Sequence, residues 1–285
     1  MANALAAGLY AAPLRRPHIV DVLIEERAPK LSGSPVWPLV RPALYAILDY
    51  RKARAMADAI AAMSGREALE YVSALLQVKV EISGLDRLPR EGRCVVVANH
   101  PTGIADGIAV HDALKAARPD MVFYANSDAH RVSPRLSEVL IPVEWVEEKR
   151  TRERTRLTLQ MTKEALEAER ALMIFPAGRL ARRAPDGVLT DKPWAPSALS
   201  IARKYEAPVI PVHVSGPWAT LFHLFDRFSP ELRDITLFHE LLNKRGRRFS
   251  LIVGRPIAPD AIPDIEALKR YVERILPHRP DEPFA

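Results

Sequence analysis

From residue 78 onward the chain alternates short apolar runs with stretches of helical period, and few architectures accept that pattern. The apolar runs are 78–82, 94–98, 121–124, 139–143, 172–175, 209–214 and 249–253, and the helical stretches are 104–117, 152–169, 196–205 and 265–276. Runs this short and continuously apolar suit strands covered on both faces. The expected fold is therefore α/β, with a mixed, largely parallel sheet flanked by helices. Ahead of it, residues 36–77 read as an N-terminal helical hairpin, with Ser64 and Glu67 placed to form a capping box for its second half. Residues 1–35, which carry Pro13, Pro17, Pro29 and Pro35, read as an irregular arm. This divides the chain into 1–35, 36–77 and a main domain at 78–285.

Composition narrows the partners. The hydrophobic share is 48% and the charged share 27%, as in an ordinary folded protein, and the formal charge is +6. A modest basic excess favours anionic surfaces, acidic carrier proteins or nucleic acid. Nucleic acid is disfavoured, because the basic residues are interleaved with acids, aromatics are 7% and no recognition motif occurs. Cys94 is the single cysteine, which rules out internal disulfides and thiolate clusters. His130, His213, His223 and His239 lack metal-ligand spacing, so no metal is expected. No run approaches the ~18 apolar residues that a spanning helix needs. Contact with a membrane would be peripheral. The apolar face of residues 36–77, with Arg51, Lys52 and Arg54 beside it, either lies on an anionic bilayer or packs on the main domain.

The richest segment is 94–107, Cys-Val-Val-Val-Ala-Asn-His-Pro-Thr-Gly-Ile-Ala-Asp-Gly. A buried strand ends at Ala98 and polar groups follow at once, at the carboxyl edge where α/β sheets build their sites. Asn99 can fix the loop, Pro101 holds His100 extended and Gly103 permits a sharp turn. Asp106 then opens the next helix within reach of the imidazole. A histidine with a carboxylate on one ring nitrogen is a general base, and backbone N–H groups at the Gly103 turn would meet an oxyanion. Alternatively, His100 and Asp106 only cap the helix and satisfy the loop. Residues 172–183 repeat the theme: an apolar run enters Phe175-Pro176-Ala177-Gly178, and Arg179, Arg182 and Arg183 follow. That arrangement suits a phosphate or carboxylate cradle, or else an ordinary turn with a solvated basic flank. A third run carries Pro208 and Pro211, which points to an edge strand or a shaped wall. Residues 229–244 look like an insert that caps the site or shapes an acyl tunnel. No Gly-x-Ser-x-Gly elbow supports a serine hydrolase, and Cys94 lies inside a strand, as a structural thiol does.

Taken in order, these three segments resemble the glycerolipid acyltransferases, which include the glycerol-3-phosphate and 1-acylglycerol-3-phosphate enzymes, and most of all their hemolysin-like and lyso-ornithine-lipid branch. Asn99 and His100 match the family's Asn-His-(x)4-Asp block; Phe175, Pro176 and Gly178 match Phe-Pro-Glu-Gly-Thr-Arg; Ile210, Pro211 and Val212 match Val-Pro-Val. Two departures stand out. Five residues separate His100 from Asp106, and Ala177 replaces the glutamate with Arg179 one place early. The resemblance implies a glycerol-3-phosphate acyltransferase-like fold and direct O-acyl transfer from acyl carrier protein or coenzyme A thioester, with no cofactor, to a lysolipid hydroxyl. It implies His100 as base, Asp106 as its orienter, and an acceptor and anion site drawn from Asn99, Thr102, Gly103, Phe175, Pro176, Gly178, Arg179 and Arg182. The acceptor would be lysophosphatidic acid or a relative, a lyso-ornithine lipid among them. The bacterial enzyme would work peripherally on the cytoplasmic face of the inner membrane in phospholipid synthesis. The altered block also leaves open a non-catalytic lipid- or carrier-binding protein that kept the fold.

Overall fold

A computed structural model describes residues 17–144, 150–184, 187 and 189–284. Among them, a seven-stranded sheet runs in the order β1-β9-β8-β2-β5-β3-β4. Its strands are β1 (Lys79–Ser83), β2 (Cys94–Ala98), β3 (Val122–Asn126), β4 (Leu140–Val143), β5 (Ala171–Ile174), β8 (Val209–Ser215) and β9 (Arg248–Val253). Every neighbouring pair is parallel except β8 with β9. A separate antiparallel hairpin joins β6 (Arg182–Arg183) to β7 (Leu189–Thr190).

β2 sits near the middle of the sheet and shows why its sequence is apolar without alternation. All five of its residues are fully buried. Cys94, Val96 and Ala98 face one apolar cluster, while Val95 and Val97 face the other. Each such valine contributes about 1.5–3 kcal/mol of burial. The first cluster is covered by α1 (Ile19–Arg27), α3 (Tyr50–Ile60), α4 (Gly65–Leu76) and α5 (Ile104–Leu114), and the second by α6 (Arg152–Glu167), α7 (Ser197–Lys204) and α10 (Ile265–Arg270). Ser64 caps α4 through the reciprocal box with Glu67. Thr151 caps α6, and of the charged run 147–156, residues 147–149 lie outside the described residues.

Three expectations are corrected. Residues 17–35 are not irregular: α1 buries Val20, Leu23 and Ile24 on one stripe, and a short helix, Pro29–Ser32, follows. The prolines flank α1, and Pro29 occupies a first-turn position where a missing N–H costs nothing. The region 36–77 is three helices and not a hairpin, because Asp49, in the left-handed region at φ 55°, breaks α2 (Trp37–Ile47) from α3. These helices share the core cluster of the sheet. Finally, β8 is an inner strand despite Pro211. Val209 exchanges two hydrogen bonds of 2.9 Å with Ile257, the Pro211 carbonyl accepts from Gly254 N at 2.8 Å, and β9 ends at Val253. The donor that proline lacks therefore falls where the ladder has already stopped.

The insert after β8 folds as α8 (Thr220–Asp226), a short helix at Pro230–Asp234 and α9 (Leu237–Leu242). A buried ion pair, Lys244 Nζ to Glu240 at 2.7 Å, holds its underside. Glu240 also accepts from Phe222 N, and Lys244 donates to the Trp218 carbonyl. Removing one partner of such a pair costs about 3–5 kcal/mol. His239 and Asp49, 2.8 Å apart, tie the insert to the N-terminal helices. No helix among the described residues is long and apolar enough to cross a membrane.

Candidate active site

Three chain segments leave the carboxyl ends of adjacent strands β8, β2 and β5 and converge. From β2 come Asn99 and His100, from β5 come Phe175 and Pro176, and from β8 comes Gly216. Asn99 is buried, and its amide is committed in both directions, donating to the Val214 carbonyl at 2.9 Å and accepting from Val214 N at 2.7 Å. It clamps the loop to β8.

The loop then places the imidazole. Nδ1 of His100 lies 2.9 Å from Oδ2 of Asp106, at ion-pair distance but off the direct line of a hydrogen bond. Pairs of this kind commonly align only when substrate is bound. The Asp106 side chain is fully buried at the first turn of α5. It accepts from Thr102 N at 2.9 Å, from Gly103 N at 3.0 Å and from the Thr102 hydroxyl. Thr102 and Gly103 are thus the carboxylate's anchors. The N–H groups expected to stabilise an oxyanion point inward to Asp106, which corrects that expectation. Gly103 has a positive φ of 94°, and a Cβ there would press on Leu180 at 3.1 Å. A side chain at Gly216 would approach Thr102 to 2.8 Å and the Phe249 ring to 2.7 Å, so the β8 loop passes directly against the His100 loop.

Phe175 forms the floor. Its ring stacks on the imidazole with centroids 4.5 Å apart. The turn Pro176–Gly178 carries the chain away, and the loop returns so that Ala181 N donates to the His100 carbonyl at 2.9 Å. Both ends of segment 175–181 therefore touch His100. Arg179, on the crest of that loop, is exposed.

The structure separates the arginines. On β6, successive side chains alternate in direction. Arg182 turns inward, pairs with Asp226 at 2.8 Å and lies over the Phe222 ring at 4.4 Å. Its role is to fasten α8 to the site loop, and the expectation that it binds a ligand anion is corrected. Arg183 turns outward and lies 4.8 Å over the Trp218 ring, which in turn stacks on His223 at 3.8 Å. Burial holds the His223 imidazole down at about 4. Arg179 and Arg183 are the exposed guanidinium groups of this rim.

One residue at the site has no counterpart in the sequence reading. Asp191, just past β7, is 3% exposed and accepts from the backbone N of His100 at 3.1 Å through each oxygen. It also accepts from Trp194 Nε1 at 2.9 Å. It stands 91 positions from His100. The sole hint is an acid three residues before a buried Trp194, and no spacing rule flags that.

Cys94, His111 and Asp112 are structural. Burial pushes the Cys94 thiol up to about 11, so it is no thiolate nucleophile at neutral pH. His111 pairs with Glu70 at 3.0 Å and Asp112 accepts from Ser73 at 2.6 Å, linking α5 to α4.

Comparison with known proteins gives three results. The Acyltransferase family model matches residues 79–215, which contain every residue of the pair and its anchors. A lyso-glycine lipid O-acyltransferase of Phocaeicola vulgatus is 28% identical over 199 residues, covering 68% of this chain and 69% of that protein. Its counterpart in Bacteroides thetaiotaomicron is 26% identical over 199 residues, covering 68% and 71%. Among solved structures, the 1-acyl-sn-glycerophosphate (LPA) acyltransferase PlsC of Thermotoga maritima aligns with a TM-score of 0.45 and 18% identity, over 88% of this chain and 94% of that one.

Proposed function

Because this chain belongs to the glycerolipid and lysolipid acyltransferases, we propose that it moves a fatty acyl group from a thioester to the hydroxyl of a lysolipid, with His100 as the base. The observation that carries the reading is the pairing of an imidazole with a buried, fully anchored carboxylate at the carboxyl edge of the sheet. Nε2 is the ring nitrogen that solvent reaches. It takes the hydroxyl proton as the oxygen bonds to the acyl carbonyl carbon. The tetrahedral adduct then breaks its C–S bond, and the thiolate leaves with that proton from the imidazolium. Asp106 sets the tautomer and offsets the transient positive charge. The donor is an acyl carrier protein or coenzyme A thioester, and no cofactor takes part.

The acceptor we favour is a lyso-aminolipid with an anionic headgroup. Two observations support it: the relatives named for lyso-glycine lipid, and Ala177 in place of the glutamate of the phosphate-handling pattern. Arg179 and Arg183 would meet the headgroup carboxylate. Arg183→Ala is expected to raise KM for the lysolipid about 5- to 20-fold with kcat within about twofold, as loss of uniform binding does. An equal fall in kcat would remove Arg183 from headgroup binding.

We place the enzyme on the cytoplasmic membrane surface through α2. Of its residues only Trp37 is buried, while Leu39 is 80% exposed and Ile47 53%, with Val36 just before them at 51%. Leu39→Glu combined with Ile47→Glu is expected to lower sedimentation with anionic phosphatidylglycerol vesicles about tenfold or more, leaving turnover of detergent-dispersed acceptor intact. Unchanged sedimentation would move the contact elsewhere.

The deciding experiment supplies purified protein with acyl carrier protein and coenzyme A thioesters and a panel of lyso-glycine, lyso-ornithine and lysophosphatidic acceptors. Transfer to a lyso-aminolipid in preference to lysophosphatidic acid is the expected result. Vesicle binding without turnover on any acceptor would instead identify a non-catalytic relative.

A further inference from the structure

Asp191 is a buried acid that the reaction just described does not use. It joins three elements. Its two oxygens hold the His100 main chain, its acceptor capacity is completed by Trp194 Nε1, and its own N–H donates to Glu273 at 2.7 Å. Glu273 belongs to the turn of π-helix that continues α10, and its other oxygen accepts from the Thr190 hydroxyl at 2.7 Å. Lys269 stands 4.0 Å behind it. A carboxylate that merely needed satisfying has no reason to bring both oxygens to the one peptide N–H beside an imidazole.

We propose that Asp191 is a positioning residue for the acyl transfer, fixing the His100 main chain and standing as a second carboxyl group, beside Asp106, whose charge is coupled to that of the ring. This rests on the reading of His100 as the base. The charged groups that face Asp191 are His100 from the β2 loop and Glu273 from the C-terminal helix, while neighbouring Lys192 is exposed. Burial pushes the Asp191 carboxyl up to about 7, opposed by the Trp194 hydrogen bond and the charge of His100 and reinforced by Glu273. The buried carboxyl therefore holds its proton more readily than a solvated one, a positive charge on His100 opposes this, and the two ionisations are mutually dependent.

The test measures the His100 ring by NMR titration and, separately, the pH profile of transfer. An anion near the ring favours the imidazolium, so removing it lowers the ring's midpoint. A base works in its neutral form, so the acid limb of activity must move to lower pH with it. In Asp191→Asn both are expected to fall by about half a unit or more. kcat should fall about tenfold or more, with KM for the lysolipid within about twofold. Should that variant fail to fold, Trp194→Phe decides. It removes a donor that favours the anion while leaving the carboxylate, and its midpoint is expected to shift in the same direction by less. An unchanged ring midpoint and acid limb in the folded variants, whatever happens to yield or melting temperature, would overturn the proposal. The titration needs no turnover. Full transfer activity in His100→Ala would remove the base and leave the Asp191 result standing or falling by itself.

Discussion

His100→Ala is expected to lower kcat for acyl transfer by about a thousandfold or more, with the protein still folded. The expectation of a folded variant follows from the main chain. His100 N is held by Asp191 and its carbonyl by Ala181, and alanine keeps both peptide groups. What disappears is the ring, its stacking on Phe175 and the nitrogen that takes the acceptor proton. The stacking is worth about 0.5–1.5 kcal/mol, too little to unfold a domain of this size. A steady-state assay with a circular dichroism melt checks both halves. Native melting with wild-type turnover would end the base assignment.

Asp106 carries the second large effect, and two substitutions separate its roles. Asp106→Asn keeps the volume and one carbonyl oxygen for Thr102 N and Gly103 N, but it removes the charge that stabilises the imidazolium. kcat should fall by roughly 10²–10⁴-fold, with little change in melting. Asp106→Ala removes the acceptor as well. Two buried N–H groups and the Thr102 hydroxyl then lose their partner, at about 1–3 kcal/mol each, so stability falls along with activity. If both variants keep their turnover and only the Ala variant loses stability, Asp106 is only a helix cap. That is the bland alternative its sequence position also allowed.

The sequence revealed some elements and hid others for identifiable reasons. β2 was legible to the residue, because a central parallel strand must be apolar on both faces and the first polar group marks where it leaves the core. The His100–Asp106 pair was legible because its members lie within one loop and one helical turn. Asp191 was not, since a long-range contact made just past a hairpin of two-residue strands leaves no periodic trace. Proline misled twice, at α1 and at β8, because it forbids a hydrogen bond only where the backbone has a partner waiting. The separate duties of Arg182 and Arg183 follow from strand alternation, but only once β6 is known to be a strand.

The commitment of both peptide groups beside the imidazole also has a thermal consequence. Ordering that loop is done once, when the chain folds, and not afresh in every catalytic cycle. Heating should therefore leave the enzyme competent until the β-sheet itself gives way. Inactivation and loss of far-ultraviolet ellipticity should trace a single curve, with no warm interval in which the fold persists and the chemistry has stopped.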